Sequence, residues 1–547
     1  MTHRHGWRQR AAALLSLLAI TSGAAAAPID LSTVAPTATP VTLPAHWQHG
    51  AFMEIFVRAY QDSDGDGMGD LKGLISRLDY LKDLGIKGLW LMPIQANADG
   101  DHGYATRDFR AVAPEYGTLE DLDRLIAEAG KRGIGIVMDY AVNHSAVQHP
   151  LFAEARGDRN SPWRDWYMFS DAEPLGWNIF DKNPWYANRA ESWNHSGEAK
   201  DTPRPPPDTR DWYFGTFGPQ MPDFNLRNPK VVAYHEDSLR FWLNHGLAGY
   251  RLDATPHLIE NSATDWNDLP ESRALTKRFA DLIRSYPNRY VVCEATTKPR
   301  DWGDPQVCGG AFAFGYVQYF VDAARGRPDA VIELADYYKT ALPTMVTFLS
   351  NHDIFAGKRL WDQVGGDAAR YKLAAAGYLL QPGTPFIYYG EEVGQAGALD
   401  LQADLPLRSP MSWAPDARTG GFTTGTPFRP IAPNVATNNA QSQARDADSI
   451  LNFYKAMLGL RNARPSIARG TYEHAFADGL VLGFQRALER ERTLVLINYG
   501  SESRRVRVAG LFASSRLARI HPSKAAAQRG AFVMLPPQSV RVYDVRR

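Results

Sequence analysis

Three acidic residues stand at the ends of apolar runs far apart in the chain: Asp253 in GLAGYRLDATPH, Glu294 in YVVCEAT and Asp353 in FLSNHD. Arg251 lies two positions before Asp253. Side chains two apart on a strand share one face, so the guanidinium would hold the Asp253 carboxylate ionised. An ionised Asp at the end of a buried strand suits a nucleophile. Glu294 follows Val291, Val292 and Cys293. That apolar approach should raise its pKa and keep it protonated. Glycoside hydrolysis needs this kind of pair: one carboxylate attacks the anomeric carbon and one acid protonates the leaving oxygen. Asp139, Asn143 and His144 (in DYAVNH), His257 and His352 add polar groups at other run ends. The acids and histidines would also suit a divalent metal, but an Arg among the ligands argues against that reading.

The elements that carry these residues recur with a strand–helix period. Apolar runs at 51–57, 86–92, 134–139, 247–253, 290–293, 312–320, 345–350 and 385–389 read as strands. Apolar residues at helical spacing fill 71–84, 119–132, 231–245, 271–286 and 368–380. Strands buried on both faces and alternating with helices predict a parallel (β/α)8 barrel. Residues 145–225 break the rhythm and are rich in Trp, Pro, Asp and Gly, including Trp163, Trp166, Trp177, Trp185, Trp193 and Trp212. A structureless loop of that length is uncommon in a compact domain, so they read as a subdomain inserted after the third strand. From residue 466 short alternating runs predict a C-terminal all-β sandwich. The barrel then comprises 45–144 and 226–465.

The N-terminus has a basic start, an apolar run at 11–20 and an Ala-rich stretch. Residues 1–26 read as a signal peptide, which implies export to the periplasm or the medium. Residues 27–44 read as an extended leader, with order beginning near Trp47. Zero formal net charge argues against nucleic-acid binding, and no later run is long enough to span a membrane. Export permits a disulfide between Cys293 and Cys308, but the apolar run around Cys293 favours two buried thiols. A monomer is expected.

A second concentration of carboxylates follows the first strand. In DSDGDGMGD, Asp62, Asp64, Asp66 and Asp70 repel one another unless something neutralises them. Acids at alternate positions with glycines at the turn suit a calcium ion. Met68 completes that loop, although Gly73 stands where an EF-hand has its Glu.

DYAVNH, GYRLDATPH, CEAT and FLSNHD resemble, in order, the four signature regions of the α-amylase family, glycoside hydrolase family 13. MPDFN, at 221–225, resembles its fifth. The resemblance implies Asp253 as nucleophile, Glu294 as general acid/base and Asp353 as the acid that stabilises the transition state. It implies that His144 and His352 bind the sugar, that Tyr104 stacks beneath it and that Arg251 orients Asp253. It makes Asn143 a second calcium ligand, and likens the acidic loop to the calcium loop of the oligo-1,6-glucosidase branch. The expected outcome is retention, with carboxyls roughly 5–5.5 Å apart. His257 is left without a role; His195 and His245 are taken as structural. MPDFN is similar to the branch between oligo-1,6-glucosidases and neopullulanases, which includes exported α-amylases. Exo-acting relatives usually carry Asp directly after the Tyr of HGYATRDF, where this chain has Ala105. That favours endo-cleavage of α-1,4-glucans such as starch, glycogen or maltodextrin. The alternatives are an α-glucosidase, cyclomaltodextrinase or transglycosylase, and a non-catalytic sugar-binding member.

Overall fold

The apolar runs lie side by side. The computed structural model describes residues 28–37, 42–188, 211–508, 516–523 and 532–546. Its barrel strands are β1 (Phe52–Ile55), β2 (Gly88–Leu91), β3 (Gly135–Tyr140), β4 (Gly249–Leu252), β5 (Tyr290–Cys293), β6 (Ala311–Phe312), β7 (Met345–Val346) and β8 (Phe386–Tyr388). Their order is β7–β6–β5–β4–β3–β2–β1–β8, every pair parallel. A parallel bridge between Thr347 and Pro385 joins β7 to β8 and closes the ring. The register sets Asp139 opposite Arg251 and Arg251 opposite Val292. That pairing levels the polar residues at one end of the barrel.

At the other end, glycines make room for rings. A Cβ on Gly135 would meet the Trp47 ring at 2.4 Å, and one on Gly88 would meet Phe52 at 2.7 Å. Trp47 and Phe52 stack at 5.2 Å and plug the barrel floor. Helix Leu119–Lys131 starts in a capping box between Thr118 and Asp121 and buries Leu122, Leu125 and Ala129. Between β3 and β4 the described chain forms helix Pro150–Gly157 and a three-stranded sheet of Phe169–Ser170, Trp212–Phe214 and Trp185–Ala187. The C-terminal region stacks a five-stranded sheet on the pair Arg504–Arg507 and Phe532–Leu535. Val481, Leu494, Leu496, Val506 and Leu535 form their own apolar cluster there. No described helix is long and apolar enough to cross a membrane.

Four expectations are corrected. Residues 312–320 are not one strand: Gly315 turns the chain at φ 81°, and Phe320, Val321 and Ala324 lie buried along helix Gln318–Ala324. Residues 71–84 form two helices, Leu71–Ser76 and Leu78–Leu84, because Arg77 leaves the helical region and bonds Gln61 Oε1 at 2.7 Å. Cys293 and Cys308 form a disulfide with Cα atoms 6.2 Å apart; the turn after Trp302 brings Cys308 back beside β5, which spacing could not reveal. Order begins well before Trp47, since the leader is strapped to the barrel. Asp30 and the Ser32 carbonyl meet Arg110 at 3.2 and 2.9 Å, and Asp237 accepts from Val34 N at 3.1 Å. The expected signal peptide (1–26), Trp193 and His195 lie outside the described residues.

After β8 two acids are buried in succession. Glu391 accepts hydrogen bonds from the Tyr378 and Tyr454 hydroxyls at 2.6 and 2.7 Å, and Glu392 from Tyr80 at 3.0 Å. Burial pushes both carboxyls up to about 7. The folded state therefore holds protons that the unfolded chain has released above its ordinary Glu pKa. Their contribution to stability is full below that pKa and is lost as pH rises through about 7. Glu391→Gln should flatten the fall in stability between pH 5 and pH 8 by on the order of 2–3 kcal/mol, read as Tm against pH. An unchanged slope would show that Glu391 does not carry a proton in the fold.

Candidate active site

β4 delivers Arg251 and Asp253 to the barrel mouth, and β5 delivers Glu294. Arg251 is 1% exposed and ties the site together. Its Nη1 bonds Asp253 Oδ1 and reaches Asp139 Oδ1 at 3.0 Å; its Nη2 lies 3.0 Å from Glu294 Oε2. Glu294 Oε2 also accepts from Ala254 N at 3.0 Å. One guanidinium cannot neutralise three carboxylates, so a proton is retained among them. Burial first, and then the Asp253 charge, push Glu294 up to about 7, against the pull of Arg251. Burial also lifts Asp253, up to about 6. Arg251 opposes this rise, as the sequence suggested, but does not cancel it. Removing water from the carboxylate outweighs one shared cation.

β7 leads to His352 and Asp353. His352 Nδ1 is 2.6 Å from Glu54 Oε1 on β1, and its Nε2 lies 2.9 Å from the Tyr104 hydroxyl and 3.2 Å from Asp353 Oδ2. Burial lowers His352 and raises Glu54, so both are neutral and the contact is a hydrogen bond rather than an ion pair. Tyr104 donates to Asp139 Oδ2 at 2.8 Å, and Trp90 Nε1 donates to the same oxygen at 3.0 Å. His144 is buried, with its pKa down to about 4. Neither ring nitrogen has a hydrogen-bond partner among the described residues, which leaves both for a ligand. The seven residues expected at a sugar site (Tyr104, His144, Arg251, Asp253, Glu294, His352 and Asp353) thus converge.

Sequence reasoning missed several neighbours. Glu54 could have been found, since it is the one acid inside the apolar run AFMEIFV. Asp101, Arg408 and Arg429 could not, because they meet only in space. Arg408 Nη1 and Arg429 Nη2 hold Asp101 at 2.9 and 2.8 Å, and Arg408 Nη2 reaches Asp353 Oδ1 at 3.3 Å. Ala105 is buried, at 3% exposed. A cavity of about 470 Å3 opens beside Glu294, lined also by Phe180, Phe217, His257, Thr296 and Phe355. Asp101, Tyr104, Asp353 and Arg408 do not line it.

In the acidic loop, oxygens of Asp62, Asp64 and Asp70 lie within 4.8 Å of one another. Burial opposes ionisation of Asp62, but bonds from Thr423, Gly65 and Gly67 hold its carboxyl below the usual range. Asp66 instead caps Met68 N at 2.7 Å, and the Met68 sulfur meets Arg58 Nη1 at 2.7 Å. Asn143 Nδ2 donates to the buried Asp223 at 3.0 Å. Burial, and next the charge of Asp223, raise Glu260 well above its ordinary value, and Glu260 Oε1 has no hydrogen-bond partner among the described residues.

With the geometry in place, comparison with known proteins gives three kinds of likeness. The family profile for the α-amylase catalytic domain matches residues 54–470. The trehalose synthase/amylase of Mycobacterium tuberculosis is 33% identical over 478 residues, 79% of this chain and 77% of that protein. The oligo-1,6-glucosidase of Parageobacillus thermoglucosidasius is 27% identical over 586 residues, 91% of this chain and 99% of that protein. Among solved structures, a trehalulose synthase variant superposes with a TM-score of 0.77 at 26% identity, covering 91% of this chain and 99% of that one.

The two central acids set a pH dependence. With Asp253 as nucleophile and Glu294 as acid, the roles the sequence resemblance implies, activity requires Asp253 ionised and Glu294 protonated. kcat/KM should rise as Asp253 loses its proton near pH 6 and fall as Glu294 loses its own near pH 7. The expected profile is a narrow bell with its maximum between those values. A plateau extending beyond pH 8 would remove Glu294 as the proton donor.

Proposed function

Because the chain belongs to the α-amylase family of glycoside hydrolases, whose members act on α-glucosidic bonds, we propose that it takes the non-reducing end of short α-glucosides, by retaining hydrolysis or transfer. The single observation that carries the exo reading is the ion cluster Asp101–Arg408–Arg429 packed against Asp353. It bounds the site on the Tyr104 side, while the cavity opens on the Glu294 side. A chain threaded through the site would have to displace buried charges, which is expensive. A terminal sugar fits without doing so. The endo reading rested on Ala105 in place of an acid; Asp101 supplies a carboxylate on that side of the site instead. The similar relatives named as a trehalose synthase/amylase and an oligo-1,6-glucosidase support the exo or transferring reading over a purely endo one.

The mechanism follows from the residues. Asp253 attacks the anomeric carbon while Glu294 gives its proton to the leaving oxygen. Glu294 then draws a proton from water or another hydroxyl, which displaces Asp253. Arg251 keeps the two carboxyls in register. Asp353, held by Arg408 and His352, faces the sugar hydroxyls together with His144.

The acidic loop fits a calcium ion: all its donors are oxygens, and three carboxylates within 4.8 Å need a cation. Asp62, Asp64 and Asp70 would hold it. Asn143, the expected ligand of a second ion, donates through Nδ2 to Asp223 at 3.0 Å. The ion would brace loops, not enter the chemistry.

Two outcomes test this. On maltose, glucose should appear from the first minutes, while iodine staining of amylose falls slowly; Asp101→Ala should lose about 10- to 100-fold in kcat/KM on maltose, since it removes the one carboxylate that Arg408 and Arg429 share. Rapid loss of iodine staining with mixed maltooligosaccharides would sink the exo reading. For the metal, a calcium chelator should lower Tm by several degrees. Asp64→Asn, at an exposed position, should abolish most of that shift. A Tm indifferent to chelation would remove the calcium assignment.

A further inference from the structure

Beside Glu294 the chain places an exposed aromatic ring on a backbone that resists it. Ile179 and Lys182 pair through both backbone bonds, at 2.8 and 3.0 Å. The two residues between them, Phe180 and Asp181, have φ of 50° and 63°. A two-residue turn with positive φ at both central positions ordinarily takes Asn-Gly or Asp-Gly. A bulky Phe there is unfavourable, and its ring is 57% exposed, so burial does not compensate. Strain of this kind gathers at ligand clamps.

The ring's neighbours say what would be clamped. Phe180 lies 6.1 Å from Phe217 at 29°, and meets His257 and Trp266 edge-on at 5.6 and 5.9 Å. His257 stacks on Trp266 at 5.5 Å. Phe217 touches His144 at 5.3 Å, so these rings continue directly from the sugar-binding histidine. Phe355, 60% exposed, stands across the same cavity. The side-chain polar groups lining it are Glu294, Thr296 and His257, and burial holds His257 neutral, with its pKa at about 4. A second sugar, with three or four hydroxyls, would find few partners here. A flat apolar group would find rings on several sides.

We infer that this cavity is an aromatic cage for the leaving group and the acceptor, and that it selects aryl and alkyl alcohols over sugars. The inference rests on the proposed double displacement by Asp253 and Glu294. In the first step the bond from C1 to the aryl oxygen breaks, Glu294 protonates that oxygen and Asp253 forms an ester to C1. In the second, a phenol or alcohol held in the cage gives its proton to Glu294, its oxygen bonds C1 and the ester breaks. Phe180 acts as a specificity-determining residue: it touches the aglycone and not the reacting atoms.

The test compares three donors. α-D-Glucosyl fluoride has a leaving group too small to reach the cage and able to depart without protonation, and so reports on attack by Asp253 and on Glu294 as base. Wild-type kcat/KM should favour p-nitrophenyl α-D-glucopyranoside over maltose by at least about tenfold. Phe180→Ser should cut that ratio by about tenfold. Phe180→Gly, which suits the turn, should cut it similarly while raising Tm. With benzyl alcohol added as acceptor, wild type should form benzyl α-glucoside in preference to glucosyl-glucose, and both variants should lose that preference. Wild-type turnover of the fluoride with an aryl-to-maltose ratio unmoved by either variant would overturn the cage. Failure of wild type to turn over the fluoride at all would instead overturn the double displacement beneath it.

Discussion

The Arg251 guanidinium is buried and shared by Asp139, Asp253 and Glu294, and the rest of the site depends on it. Desolvating a charge is expensive unless it is paired, and breaking such a pair typically costs about 3–5 kcal/mol. The barrel supplies the pairing through register: Asp139 on β3 lies opposite Arg251 on β4. Burial first, and then the excess negative charge of three acids around one cation, let Glu294 keep a proton to about pH 7. The shared cation also explains why the nucleophile and the acid differ less than their sequence settings suggest.

A second chain of contacts fixes the sugar side. Glu54, His352, Tyr104 and Asp139 pass hydrogen bonds from β1 through the seventh strand end to β3. These groups are buried, and desolvation drives His352 and Glu54 toward neutral forms. A buried polar network fully partnered in this way holds one geometry. His144 is the exception, and its two bare nitrogens are what a ligand would satisfy. The Asp101–Arg408–Arg429 cluster then ties the Tyr104 loop to the segment after β8, so the site's polar wall is built from both ends of the barrel.

The two sides of the site differ in kind. The Tyr104 and Asp353 side is charged, hydrogen-bonded and rigid; the Glu294 side is aromatic, with rings partly exposed to solvent. A group with hydroxyls suits the first and a flat apolar group the second. The strained turn at Phe180 and Asp181 belongs to the inserted segment, where loops carry specificity and a rigid scaffold carries chemistry.

Much of this was legible in the chain alone. Apolar runs ending in acids marked the barrel strands, and local spacing put Arg251 beside Asp253, because both signals depend only on neighbours in sequence. The three acids, Tyr104 and the two histidines were readable for the same reason, each lying within a short motif. The acidic loop was readable as a metal candidate, although Asp66 and Met68 turn their side chains to other partners. What the sequence could not reveal were meetings across hundreds of residues: Asp101 with Arg429, Cys293 with Cys308, the leader with Arg110, and Phe180 with Trp266. Residue types and short spacings are local and survive in one dimension; burial, and with it pKa, cleft shape and specificity, is set by the sum of distant neighbours and exists only once the chain has closed on itself.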